Sequence, residues 1–129
     1  MSAEILIIED VPAVLLSLRI ILRGAGHQVS CAPDGNAGLA LLRSKRFDLV
    51  ISDIWMPGMG GTDVIAQGRR LAPRTRFLAI TGGNPNSSPL PPAAVQTQFG
   101  ADAVLYKPFE KDELTAAVNA LLAGAPAHG

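Results

Sequence analysis

Hydrophobic residues fall along the chain in two alternating patterns. Short unbroken runs stand at Ile5–Ile8, Leu49–Ile51, Phe77–Ile80 and Ala103–Leu105, with Val29–Ala32 a weaker fifth. Runs of this length suit strands buried on both faces, as in a parallel sheet. Between them the apolar positions recur at helical spacing. Val14, Leu15, Leu18, Ile21 and Leu22 form one stripe, closed by Gly24 and Gly26. Pro12 suits the first turn of that helix, where no N–H is needed. Ala37, Leu41 and Leu42 mark a second helix, opened by Asp34 and Gly35. Thr62 to Leu71 reads as a third, ended by Ala72-Pro73. Leu114, Val118, Leu121 and Leu122 mark the last. The stretch GGNPNSSPLPP (82–92) is too rich in proline and glycine to begin a regular helix. It predicts a long loop, followed by a short helix from about Pro92 to Phe99.

Strand and helix alternate five times, which implies an α/β fold with helices on both faces of a parallel sheet. Right-handed crossovers leave few topologies. For five strands the expected architecture is a doubly wound, flavodoxin-like sheet of order 2-1-3-4-5. Such sheets bind ligands beyond the carboxyl ends of the strands, where the winding reverses. One domain over residues 1–123, with a short tail at 124–129, accommodates all of these elements.

Composition narrows the function. The chain has 129 residues, 48% apolar and 17% charged, with zero formal net charge. That is a globular balance without the overall basic excess of a nucleic-acid binder. Arginines do cluster at Arg69, Arg70, Arg74 and Arg76; a solvated helix end, whose dipole favours cations, accounts for them. One cysteine, Cys31, permits neither an internal disulfide nor a zinc set and reads as a core thiol. His27 and His128 read as solvent or tail residues. No basic leader opens the chain, and no apolar run approaches the ~18–20 residues that span a bilayer. The expected setting is the cytoplasm, with no membrane and no nucleic-acid partner for this domain.

The residues at the ends of the apolar runs carry the chemistry. The first run leads into Glu9-Asp10, the third into Asp53, the fourth into Thr81 and the fifth into Lys107-Pro108. In the expected order these meet at one edge of the sheet. Three crowded carboxylates raise one another's pKa, and a divalent cation relieves the repulsion. Hard oxygen ligands favour Mg²⁺. Lys107 offers a compact cation to a carboxylate or a phosphate oxygen, and Thr81 a single hydrogen-bond donor. The set suits a carboxylate nucleophile that forms an aspartyl-phosphate.

Over almost its whole length the chain resembles a bacterial response-regulator receiver domain. The resemblance rests on IIED (7–10), PDGNAGLALL (33–42), DIWMPGMGG (53–61), AITG (79–82) and GADAVLYKPF (100–109), in order and at matching spacing. The family is itself a standard instance of the 2-1-3-4-5 order, so the fold expectation and the resemblance are not independent. The resemblance implies that Asp53 is the phosphoacceptor. It implies that Asp10, Asp53 and the backbone carbonyl of Trp55 hold Mg²⁺ directly, with Glu9 acting mainly through water. Thr81 is then the switch hydroxyl and Lys107 the phosphate-contacting lysine. Pro108 follows a cis peptide, while Pro57 and Gly61 shape the loop over the site. The implied phosphodonor is a sensor histidine kinase or a histidine phosphotransfer protein. The implied output is altered binding of a downstream protein, without enzymatic turnover beyond self-phosphorylation and dephosphorylation.

Three departures set the chain apart from the family. Its aromatic switch residue falls at Val104 here, with Tyr106 two positions on and on the same strand face. The 25 residues between Thr81 and Lys107 are a few more than usual and begin with a proline-rich stretch, in the region of the family's outer signalling face. Trp55 and Gly83 occupy positions that tune dephosphorylation in the family; an indole over the phosphoryl group would slow attack by water. Val104 and the long segment raise an alternative, a constitutive interaction module with a receiver fold that no longer switches. A hydrolase of small phosphate esters is disfavoured, because such enzymes place a second acid two residues after the nucleophile, where this chain has Trp55.

Overall fold

The computed structural model describes residues 2–82 and 100–124. Its elements are β1 (Glu4–Ile8), α1 (Pro12–Gly24), β2 (Gln28–Ala32), α2 (Gly35–Ser44), β3 (Leu49–Asp53), α3 (Gly61–Leu71), β4 (Arg76–Thr81), β5 (Ala103–Tyr106) and α4 (Lys111–Leu122). The strands form one parallel sheet in the order β2-β1-β3-β4-β5. The expected architecture is therefore observed. The short helix at 92–99 and most of the proline-rich loop lie outside the described residues.

Alternation along the strands divides the core in two. Leu6, Ile8, Val50, Phe77 and Ala79 pack on one face with Leu39, Leu42, Val64 and Ile65 of α2 and α3. Ile5, Ile7, Leu49, Ile51, Leu78 and Ile80 pack on the other with Leu18, Leu22, Leu114 and Val118 of α1 and α4. Every residue of β3 is buried, which is why its sequence shows an apolar run rather than alternation.

Local signals set the helix ends. Pro12 occupies the first turn of α1. The Asp34 carboxylate accepts the Ala37 N–H at 2.8 Å and caps α2. Glu110 and Glu113 form a reciprocal capping box at the start of α4. Two packing contacts demand glycine. A β-carbon at Gly38 would collide with the Ile8 side chain, and one at Gly61 would collide with the backbone carbonyl of Asp53. The second contact seats α3 directly against the end of β3, and the Gly61 N–H donates to the Ile54 carbonyl at 2.9 Å.

Two expectations need correction. His27 is buried rather than solvent-facing, because its Nδ1 accepts the Ala3 N–H at 3.1 Å. Arg69 is more than a solvated helix end. It donates to the Gly100 carbonyl at 2.6 Å and pairs with the buried Asp102 at 2.8 Å. Asp102 in turn accepts the Phe77 N–H at 2.8 Å, tying α3, β4 and the approach to β5 together.

Candidate functional site

The carboxyl edge of the sheet gathers the residues that the sequence places at its run ends. Asp53 and Thr81 are the last residues of β3 and β4, while Glu9-Asp10 and Lys107 directly follow β1 and β5. Backbone bonds hold these ends in register: Glu9 N–H to the Ala32 carbonyl at 3.1 Å, Ile54 N–H to Ile80 at 3.0 Å, and Lys107 N–H to Thr81 at 2.9 Å. The positions are thus built by the sheet, with α1 and α3 supplying the turns around them.

The carboxylates of Glu9, Asp10 and Asp53 each offer an oxygen within 4.8 Å of the others. Glu9 and Asp53 are buried, and Asp10 is half-buried. The Lys107 ammonium bridges the first two, 2.8 Å from Glu9 Oε1 and 3.6 Å from Asp53 Oδ2. Neither acid caps α1 in the usual way: the N-cap is Val11, without a side-chain cap bond. Glu9 Oε2 accepts only a long 3.4 Å bond from the Val11 N–H.

Electrostatics follow from this crowding. Burial, and then the hydrogen bond and charge of Glu9, push the Asp53 carboxyl up to about 7. Burial also raises Glu9, but its bonds to Lys107 and Asp53 outweigh that and hold it below the usual value. The two carboxyls therefore titrate as a coupled pair, with Asp53 the harder of the two to ionise. Burial and Glu9 raise Asp10 as well. Burial lowers Lys107, but Glu9 and Asp53 more than restore it, so it stays charged.

Asp10 Oδ1 is buried and has no hydrogen-bond partner among the described residues. An orphaned carboxylate oxygen is costly unless something absent from the protein chain meets it. Three acids in reach of one point, one of them orphaned, fit a hard divalent cation.

The remaining predicted residues lie around this centre. Thr81 pairs with Tyr106 in the β4–β5 register, and both make polar or ring contacts. Val104 pairs with Ala79 and packs against the α2–α3 side of the core. Tyr106 is half-buried, and burial raises its hydroxyl pKa. The Lys107–Pro108 peptide is cis. Pro57 is exposed, Gly61 is buried, and Trp55 is 47% exposed. Ser52 was not singled out in the sequence, yet its buried hydroxyl donates to the Asp53 carbonyl at 3.0 Å and steadies the strand end. A lone serine within an apolar run is the only signal that marks it.

Comparison with known proteins agrees with this geometry. The family model described as the response regulator receiver domain matches residues 5–119. The transcriptional regulatory protein GlrR of Escherichia coli is 34% identical over 97% of this chain, which spans 28% of that protein. The sensor histidine kinase AruS of Pseudomonas aeruginosa is 35% identical over 98% of this chain, here only 13% of the larger protein. The crystal structure of a CheY-like receiver domain protein from Methanospirillum hungatei superposes with a TM-score of 0.85 at 28% identity, covering 96% of both chains. With the sheet order, the strand-end acids and a family match across nearly the whole fold, the chain belongs to the response regulator receiver domain family.

Proposed function

We propose that Asp53 accepts a phosphoryl group and that this domain, residues 1–123, signals by changing its binding to a downstream protein. The observation that carries the reading is the triad of close carboxylates, two of them bridged by Lys107 and the third, Asp10, with an orphaned oxygen. The donor is a phosphohistidine on a sensor histidine kinase or a phosphotransfer protein. An Asp53 carboxylate oxygen attacks phosphorus, the P–N bond breaks, and the imidazole nitrogen keeps the electron pair. Asp10, Asp53 and the Trp55 carbonyl would hold Mg²⁺, with Glu9 acting through water. When bound, the ion would supply charge stabilisation for the transferring group.

The chain's own residues do the rest. Lys107, released from Asp53 by phosphorylation, stays within reach of the new phosphoryl oxygens. Thr81 donates to another of those oxygens. Its partner in the sheet register is Tyr106, so movement of Thr81 is passed to β5. Val104 is small and half-buried against the core, so a large inward ring swing is not the route here. The intact acid, hydroxyl and lysine set favours a working phosphoacceptor over the constitutive module. The setting is cytoplasmic; no helix among the described residues is long and apolar enough to cross a membrane.

The test is intact-mass spectrometry after incubation with Mg²⁺ and a small phosphodonor, for the parent and Asp53→Asn. One phosphoryl adduct is expected in the parent. It should vanish in the variant and when Mg²⁺ is chelated. An adduct that persists in Asp53→Asn would overturn the assignment.

A further inference from the structure

At the amino edge of the sheet, the far end of the strands from the carboxylates, lies a groove of about 500 Å³. One wall is the end of α2 with its turn into β3. The other is the end of α3 with its turn into β4. Leu42, Leu71 and Pro73 line it together with Arg43, Arg46 and Arg74. A second hollow of about 270 Å³ adjoins it, sharing Arg46 and Arg74 and adding Arg76 and Asp48.

Charge is the first argument. Seven of the chain's 11 lysines and arginines fall within residues 43–46 and 69–76. Two of these are already engaged, Lys45 with Glu4 at 3.0 Å and Arg69 with Asp102 at 2.8 Å. Arg43, Arg46, Arg70 and Arg74 have no carboxylate within salt-bridge reach among the described residues. Of the chain's acids, Glu4, Asp48 and Asp102 also lie at this edge, and two of them are taken up by Lys45 and Arg69. Positive charge therefore remains in excess at this edge, which attracts anions.

Rigidity is the second. The two turns are bonded to each other: the buried Thr75 hydroxyl donates to the Phe47 carbonyl at 2.7 Å, and the Arg76 N–H donates to the Asp48 carbonyl at 3.1 Å. The groove is thus formed in advance, which limits the ordering cost of binding. Its apolar wall is the third. Leu71 is 43% exposed, and with Pro73 it offers a surface that a phosphate backbone would leave uncovered.

We propose that this groove docks an acidic protein segment. An apolar side chain of that segment seats against Leu71 and Pro73, and flanking carboxylates pair with Arg43, Arg46 and Arg74. Guanidinium groups suit such bidentate pairing. The inference does not rest on the phosphoacceptor reading. The groove is separated from Asp53 by the length of the strands, so docking continues whether or not Asp53 is modified.

The test uses the whole chain and a labelled short peptide with glutamates on both sides of paired leucines, read by fluorescence anisotropy. The controls are the same peptide with glutamine for glutamate, and a short DNA duplex. Arg43→Glu/Arg74→Glu is expected to weaken peptide binding by about tenfold or more. Arg19→Glu/Arg23→Glu makes the same net-charge change on α1 and should leave binding within about twofold. Leu71→Ser, on an exposed side chain, should weaken it by about threefold or more. Circular dichroism confirms that each variant is folded. Backbone amide shifts should move in residues 42–46 and 71–75. Equal losses in the two charge-reversal variants would overturn the proposal. So would no binding at about 1 mM peptide, an unchanged Leu71→Ser, an equally tight glutamine peptide, or tighter binding of the duplex.

Discussion

Removing the charge of Asp53 should stabilise the cation-free protein increasingly as pH rises from about 4 to about 7. Asp53 is buried beside Glu9, and its carboxyl is pushed up to about 7. In the unfolded chain an aspartate ionises near 3.9. Between those values the folded state keeps a proton that the unfolded state has lost. Stability of the parent therefore falls as pH rises from about 4 to about 7, then levels off. The ceiling on this penalty is roughly 4 kcal/mol. Glu9, held low by Lys107 and Asp53, offsets part of it, leaving a net of roughly 1–3 kcal/mol. Asparagine mimics the protonated acid in shape and removes the titration. Urea melts in the presence of a chelator should then show Asp53→Asn and the parent nearly equal at about pH 4, with the variant pulling ahead as pH rises and leading by roughly 1–3 kcal/mol at about pH 8. Adding Mg²⁺ should raise the parent at about pH 8 and leave the variant little changed, since a ligand stabilises only the state that binds it. A variant advantage of equal size at both pH values would refute the reasoning. So would a variant less stable than the parent at the higher pH without Mg²⁺.

Other expectations follow from single contacts. Asp102→Ala removes the acceptor of the Phe77 N–H and the partner of Arg69; chemical denaturation should show a loss of about 2–4 kcal/mol. Gly61→Ala drives a methyl into the Asp53 carbonyl; it should cost about 1–3 kcal/mol and also slow phosphorylation from a small donor by displacing the end of β3. Trp55, half-exposed two residues beyond Asp53, is expected to shield the phosphoryl group. Trp55→Ala should shorten the half-life of the acyl-phosphate, measured as loss of the mass adduct, and an unchanged half-life would remove the indole from that role.

Element type and order could be read along the chain because each depends on near neighbours. β3 is buried on both faces, so its sequence is an unbroken apolar run; α1 buries one stripe, so its apolar residues recur at helical spacing. Asp34 and Pro12 mark helix starts through contacts within one turn. The strand-end residues Asp10, Asp53, Thr81 and Lys107 were visible because a parallel sheet carries every strand's carboxyl end to the same edge. Long-range packing decided the remainder. His27 looks solvent-facing in sequence, yet it is buried and accepts the N–H of Ala3, 24 positions away. Arg69 looks like one cation among several until Asp102, 33 positions away, closes on it. The uneven state of the acids also has no local signature. Glu9 and Asp53 are both carboxylates ending apolar runs, yet Lys107 lies 2.8 Å from one and 3.6 Å from the other. That difference, together with shared burial, makes Asp53 the harder of the two to ionise. A chain can encode which groups meet through periodicity and turns; how a charge is divided among them depends on distances that exist only once the sheet has closed.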